Sequence, residues 1–183
     1  MHTEYLDVVD ENGIPTGQVV DRVRAHREGL RHHTAHVWIA RHHHGKVQIL
    51  LQKRCMNKDS FPGCYDISSA GHIPAGEDYV TSALRELKEE LGIDAKPEEL
   101  LDCGLHHMNV EDRFHGEPFI DRQISRVFLL WRDMDESEFT VQQEEIESVL
   151  WLDFTAAVDM VRHDAIPNCI DPSELEMLRV HLV

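Results

Sequence analysis

The chain has 183 residues, 42% of them hydrophobic, which is enough to bury the core of one domain. Lys and Arg total 18 against 34 Asp and Glu, a formal charge of −16, and a field of that sign excludes general binding to polyanions such as nucleic acid. The longest apolar runs, such as Val127 to Trp131, fall far short of the ~20 residues that cross a bilayer, and Met1 to Tyr5 lacks the basic and apolar parts of a secretion signal. A cytoplasmic protein is expected, in which Cys55, Cys64, Cys103 and Cys169 stay reduced; their spacing matches no zinc or disulfide framework.

In chain order, Glu4 to Asp10 and Gln18 to Val23 read as short strands joined through the turn-rich Asn12-Gly13-Ile14-Pro15. His33 to Ala40 and Lys46 to Lys53 form a second pair around His42-His43-His44-Gly45, and a strand from Tyr65 to Ala70 leads into a helix over 77–92. Further strands are expected at Leu100 to Met108, Ile120 to Trp131 and Ser148 to Leu152, with loops around 107–120 and 132–145. Two helices follow, about 153–163 and 172–182, with Asp153 and Asp171 as N-caps and Pro172 at a first helical position. Mixed strands flanked by helices predict an α/β chain folded as a three-layer α/β/α sandwich. The expected organisation is a single domain over 1–183, with a core of about 33–160 and a helical tail of about 165–183.

The chemistry is concentrated between Gly71 and Ile93. Gly71 is followed by five residues, Glu77, seven residues, and then Arg85-Glu86-Leu87-Lys88-Glu89-Glu90-Leu91-Gly92-Ile93. Val80, Ala83, Leu84, Leu87 and Leu91 fall on one helical stripe, and Glu86, Glu89 and Glu90 gather on an adjoining face. Three carboxylates so placed repel one another unless an oxygen-seeking divalent cation sits among them. Mg²⁺ suits because it accepts a few carboxylates together with phosphate oxygens. Arg85 can pair with Glu89 one turn on. A glycine at position 71, where strand meets loop, lets the backbone approach a ligand closely, and Gly92 suits a left-handed C-cap. The bland alternative is a solvated acidic helix face.

This pattern resembles the Nudix box, with every specified position filled. Seven fixed identities at about one in fifteen each give roughly 10⁻⁸ per starting position by chance. The resemblance implies a Nudix α/β/α sandwich with a mixed central sheet, here with an N-terminal strand extension. It also implies a Mg²⁺ ligand set of the Gly71 carbonyl, Glu86, Glu89 and Glu90, with Mn²⁺ as the alternative ion. Outside the box, Asp7 to Glu11, His26 to His33 and Arg54 to His72 look like isopentenyl diphosphate isomerase and its hydrolase-like relatives. That similarity implies a second, softer metal site at His26, His33 and His72, since imidazole favours Mn²⁺ or Zn²⁺ over Mg²⁺. His32, His36 and His42 to His44 are the competing histidines, read as exposed or hydrogen-bonded strand-end residues. The similarity also puts Arg54 and Lys58 where diphosphate would bind, and a planar guanidinium with a mobile ammonium is a sound pair for that anion.

Two departures bear on the reaction. Carbon protonation needs a cysteine and a glutamate, and the matching positions hold Ala70 and Gln123, with Asp121 two residues before the latter. Neither a methyl nor an amide transfers protons at neutral pH. The expectation is therefore a Mg²⁺-dependent hydrolase of a diphosphate linkage in a small organic or nucleoside diphosphate. Arg85, Glu86, Glu89 and Glu90 form its catalytic helix, and Glu145 is its candidate loop base, in competition with Glu144 and Glu147. The alternatives are isomerase-like activity with Cys64 as substitute proton donor, or a non-catalytic sensor of a phosphorylated ligand. Phe114 and Phe119 are read as packing residues or as a stacking surface for a base, and a homodimer is the commonest assembly if the chain associates.

Overall fold

A computed structural model describes residues 3–182; Met1 and His2, part of the segment read as lacking a secretion signal, and Val183 lie outside the described residues. The first unit is a two-stranded antiparallel sheet of β1 (Tyr5–Val9) and β2 (Pro15–Asp21), closed by the short helix α1 (Arg22–Glu28). Leu6, Val8, Val20 and Ala25 pack together inside it. The strand expected to run to Val23 ends at Asp21, and the chain turns there into α1. Asp21 starts the helix by accepting from the Arg24 N–H at 2.9 Å, and Gly29 ends it in the left-handed region at φ 64°.

The main sheet has seven strands: β3 (His32–His43), β4 (Lys46–Arg54), β5 (Tyr65–Asp66), β6 (Ser69–His72), β7 (Leu101–Phe114), β8 (Glu117–Trp131) and β9 (Ile146–Asp153). β3 and β8 run parallel at its centre and the remaining pairs are antiparallel, so the sheet is mixed. On β3 the side chains alternate with period two. Trp38 and Ala40 face α3 (Phe154–Arg162) and α4 (Pro172–Arg179), whereas Ala35, Val37 and Ile39 face α2 (Tyr79–Leu91). The three layers are thus α2, sheet, and α3 with α4. Leu175 and Leu178 of α4 lie in the same cluster as Trp38, so the segment expected as a tail is built into the core.

Several local expectations change. The strand over Tyr65 to Ala70 is broken into β5 and β6 at Ile67 and Ser68. There the Ser68 hydroxyl accepts from the Ile39 N–H at 2.8 Å and donates to the Leu50 carbonyl at 2.6 Å, bridging β3 and β4 where they part. The loop expected around 107–120 is the distal part of a long hairpin of β7 and β8, turning at His115 and Gly116. Asp153 makes no side-chain cap to α3; its carboxylate instead accepts from Lys46 Nζ at 2.5 Å and Gln48 Nε2 at 3.1 Å. Asp171 does cap α4, accepting from the Ser173 N–H at 2.8 Å. No described helix is long and apolar enough to cross a membrane.

Candidate active site

α2 presents the acidic residues. Asp78 caps its start by accepting from the Val80 and Thr81 N–H groups at 2.9 and 3.0 Å, and Gly92 closes its end at φ 71°. Ala83, Leu87 and Leu91 bury one stripe against the sheet, which leaves Glu86 and Glu90 turned toward β6 and Glu89 outward, its side chain 55% exposed. The Glu90 carboxylate accepts from the Ser69 hydroxyl at 2.7 Å and the Ala70 N–H at 3.2 Å. The Glu86 carboxyl occupies the notch left by Gly71: a Cβ there would stand 2.2 Å from its Cδ and Oε1. Arg85 donates to Glu86 at 2.8 Å and Glu89 at 3.3 Å, so the pairing foreseen with Glu89 is shared and the nearer partner is the neighbouring residue.

Burial pushes the Glu86 carboxyl up to about 7, with Arg85 opposing the rise. Glu90 is pushed up to about 8, by burial first, with the Glu86 charge adding and the Ser69 hydroxyl opposing. A half-buried carboxyl beside a buried one, held by a glycine notch and an arginine, forms an oxygen-donor set that fits a hard divalent cation, since such an ion removes both the repulsion and the burial cost.

A cavity of about 280 Å³ lies beside α2, lined among others by Gly71, Glu86, Glu89 and Glu90. Nine carboxylates line it against three fixed cations, Arg22, Arg54 and Lys58. Arg54 donates to Asp66 at 3.0 Å and to the Ser60 carbonyl, also at 3.0 Å. Lys58 is paired with Glu145. Of the three competing loop acids only Glu145 lines the cavity, and Glu147 is drawn away by Lys53 at 2.7 Å. Phe61, Phe114 and Phe119 pack edge to face, with ring centres 4.9 to 6.2 Å apart, and join the hairpin to the 55–64 loop at the rim. The phenylalanines are thus packing residues, with Phe61 and Phe119 on the cavity wall.

The histidine reading is corrected at one position. His26 from α1, His32 from β3 and His72 from β6 bring ring nitrogens within 4.8 Å of one another. His33 points to the opposite face of β3, where its ring lies 4.8 Å from that of Tyr79. Adjacent strand residues face opposite sides, so a one-residue offset exchanges a cluster member for an outsider. Asp121 belongs with the trio, its Oδ1 3.6 Å from His26 Nε2 and 3.5 Å from His32 Nε2. Asp121 Oδ1 and His32 Nε2 are buried without a hydrogen-bond partner. Burial drives His26 down to about 3, and burial followed by the Arg22 charge drives His72 well below the ordinary imidazole value. His36, read as a strand-end residue, is buried and bonded to Glu174.

The isomerase-type positions are equally plain. Ala70 and Gln123 both line the cavity, and the Gln123 amide donates to Asp121 at 2.8 Å. Cys64 is absent from the lining, whereas Cys169 is present with its thiol pushed strongly upward by burial. All four cysteines are free, as their spacing predicts. Glu4, Arg22, Asp171 and Glu174 also line the cavity, and nothing in the local sequence signals that these distant segments converge on it.

The NUDIX domain family model matches residues 30–169. A Nudix hydrolase of Clostridium acetobutylicum is 37% identical over 146 residues, covering 80% of this chain and 68% of the relative. Nudix hydrolase 3 of Arabidopsis thaliana is 37% identical over 158 residues, covering 84% of this chain but 20% of that longer protein. Among solved structures, a Deinococcus radiodurans protein superposes with a TM-score of 0.67 at 18% identity, covering 96% of this chain and 98% of that one. With the box residues assembled at one cavity and the family model spanning most of its length, the chain belongs to the Nudix family of hydrolases, which cleave diphosphate linkages.

Proposed function

We propose that the protein is a Mg²⁺-dependent hydrolase of a small organic or nucleoside diphosphate, with Mn²⁺ able to replace Mg²⁺. The observation that carries this reading is the Glu86 carboxyl seated in the Gly71 notch beside buried Glu90. Glu86, Glu89, Glu90 and the Gly71 carbonyl would hold the ion. When bound, it supplies positive charge to the phosphate oxygens and acidifies water in its shell. Arg85 orients Glu86 and Glu89 through its two hydrogen bonds. Arg54 and Lys58 grip the diphosphate from the facing wall, and Glu145, once Lys58 turns to the substrate, accepts the proton of the attacking water.

The isomerase-like frame is part of this proposal, on the strength of His26, His32, His72 and Asp121. Three imidazoles and a carboxylate with an unpartnered oxygen make a donor set suited to Mn²⁺ or Zn²⁺. Isomerisation itself is disfavoured because Ala70 and Gln123 carry no transferable proton and Cys64 is off the cavity wall. A non-catalytic sensor would gain nothing from two adjacent, mutually repelling carboxyls.

Glu90→Gln preserves shape and can keep the Ser69 contact while removing one charge from the ligand set. It is expected to lower Mg²⁺-dependent kcat/KM by about a hundredfold or more on any diphosphate the unaltered enzyme turns over, with unchanged circular dichroism. Unaltered turnover would sink the assignment.

A further inference from the structure

His36 on β3 and Glu174 on α4 are buried, charged in character, and unused by the reaction as described. Glu174, 1% exposed, accepts from His36 Nδ1 at 3.0 Å and from Trp38 Nε1 at 2.8 Å. Burial pulls the His36 imidazole down, but the facing Glu174 carboxylate, helped by Asp66 and Asp121, outweighs it and raises the net value. Glu174 is correspondingly held low, the His36 charge overcoming its burial, with His106 Nδ1 also 3.4 Å away. A buried pair of this kind returns little stability over well-packed apolar side chains, because desolvation cancels most of the attraction. What it does provide is an imidazole ring fixed in one orientation. Its Nε2 meets only the Thr34 hydroxyl, at a long 3.3 Å, and Thr34, His36 and Glu174 all line the cavity.

The strand register says which part of a substrate meets this wall. β6 lies antiparallel to β3 with Ala70 opposite His36, and paired residues share a face. Ser69 and Gly71 face α2 and its glutamates, whereas Ala70 faces the side of α4. Gly71 and Glu86 nevertheless line one cavity with Ala70, Thr34 and His36, so a diphosphate held at Gly71 and Glu86 would carry its organic group past Ala70 toward Thr34 and His36. Gln123 and Asp171 extend the same wall with further hydrogen-bonding groups.

We propose that His36, fixed by Glu174 of the C-terminal helix and flanked by Thr34, hydrogen-bonds a hydroxylated group on the diphosphate, so that the site takes hydroxylated organic diphosphates and rejects hydrocarbon ones. The inference rests on the diphosphate-hydrolase reading above. His36 is the specificity-determining contact, and Glu174 is a positioning residue acting through it. A substrate hydroxyl offers His36 Nε2 a shorter hydrogen bond than its long 3.3 Å contact with Thr34, whereas hydrocarbon offers none and strips the wall of water, and that difference is the source of discrimination.

The test compares two five-carbon substrates, ribose 5-diphosphate and isopentenyl diphosphate, with methyl diphosphate as the minimal reference. The unaltered enzyme is expected to favour the ribose compound over the isopentenyl one by about a hundredfold in kcat/KM. In His36→Leu and Glu174→Gln the ratio of kcat/KM between ribose 5-diphosphate and methyl diphosphate should drop about tenfold, mainly through KM, and His36→Gln, which keeps a donor, should recover part of it. The double variant should lose no more than His36→Leu alone, because Glu174 acts through the imidazole. Equal handling of the two five-carbon substrates overturns the inference, as does a parallel fall on every substrate accompanied by a lowered Tm. If nothing is hydrolysed, the hydrolase reading fails separately. Calorimetry with the methylene-bridged analogues and Mg²⁺ still decides the wall: tighter binding of the ribose analogue supports it, and equal binding overturns it.

Discussion

Gly71 shows how much one hydrogen can decide. Its sequence position, where strand meets loop before an acidic helix, marks it as a place of close approach, but the occupant of the notch is known only from the packing of α2 on β6. That occupant is the Glu86 carboxyl, and a Cβ 2.2 Å from its Cδ cannot be accommodated without moving it. Because Glu86 is also tied to Arg85 at 2.8 Å, the displacement would reach the Arg85–Glu89 contact as well. Gly71→Ala is therefore expected to lower Mg²⁺ affinity, measured by calorimetry, by about ten- to a hundredfold. The fold should survive, since Gly71 has no left-handed backbone that a side chain would strain. Retention of full Mg²⁺ affinity would mean that Glu86 is not a ligand.

At the scale of elements, register governs the second cluster. β3 begins at His32, and every even-numbered residue from there to Ala40 lies on one face. His32 joins His26 and His72 on that account, and His33 meets Tyr79 on the other. His32→Ala is expected to lower Mn²⁺ or Zn²⁺ affinity by about a hundredfold, whereas His33→Ala should leave stoichiometric binding intact by elemental analysis. Equal loss in both variants would mean that the cluster holds no metal. The alternation was available in the sequence, because Trp38 and Ala40 belong to the opposite apolar set from Val37 and Ile39. The spacing of seven between His26 and His33 pointed one residue too far. The β7–β8 hairpin was foreshortened for a related reason: its distal residues, Asn109 to Phe119, are polar or half-exposed and carry no buried alternation to read.

Across the whole molecule, titration of the two clusters makes stability depend on pH. His26 and His72 have folded values below their unfolded one, so their contribution is complete above about pH 6.5 and is lost as pH falls. Glu86 and Glu90 are raised to about 7 and about 8, so the folded protein keeps protons that the unfolded chain has released. Their contribution is present at low pH and drains away as pH rises through those values. From about pH 6.5 to 8 the glutamates lose their contribution, and so does His36, which the Glu174 carboxylate holds above the ordinary imidazole value, so the Tm of the metal-free protein should fall by about 2–6 °C, as followed by calorimetry. Mg²⁺ must displace those protons, so the Tm it restores should be larger at the upper end of the window. A Tm that rises from pH 6.5 to 8 without metal would contradict the assignment of both carboxyls.

By itself the sequence determined the acidic helix, its glycine C-cap, the α/β architecture and the family, because these depend on local spacing: a 3.6-residue period, a two-residue period and a glycine at each end of the box. It also identified Arg54, Lys58 and Glu145 as neighbours of the site, although not the pairing of Lys58 with Glu145. Only the tertiary structure decided which histidine completes the soft cluster, that Asp121 stands with it, and that the chain's two ends wall the cavity through Glu4, Arg22, Asp171 and Glu174. Those contacts join residues as far apart as His36 and Glu174. They are set by strand register and by the docking of α1 and α4 on the sheet, and a linear spacing does not encode either.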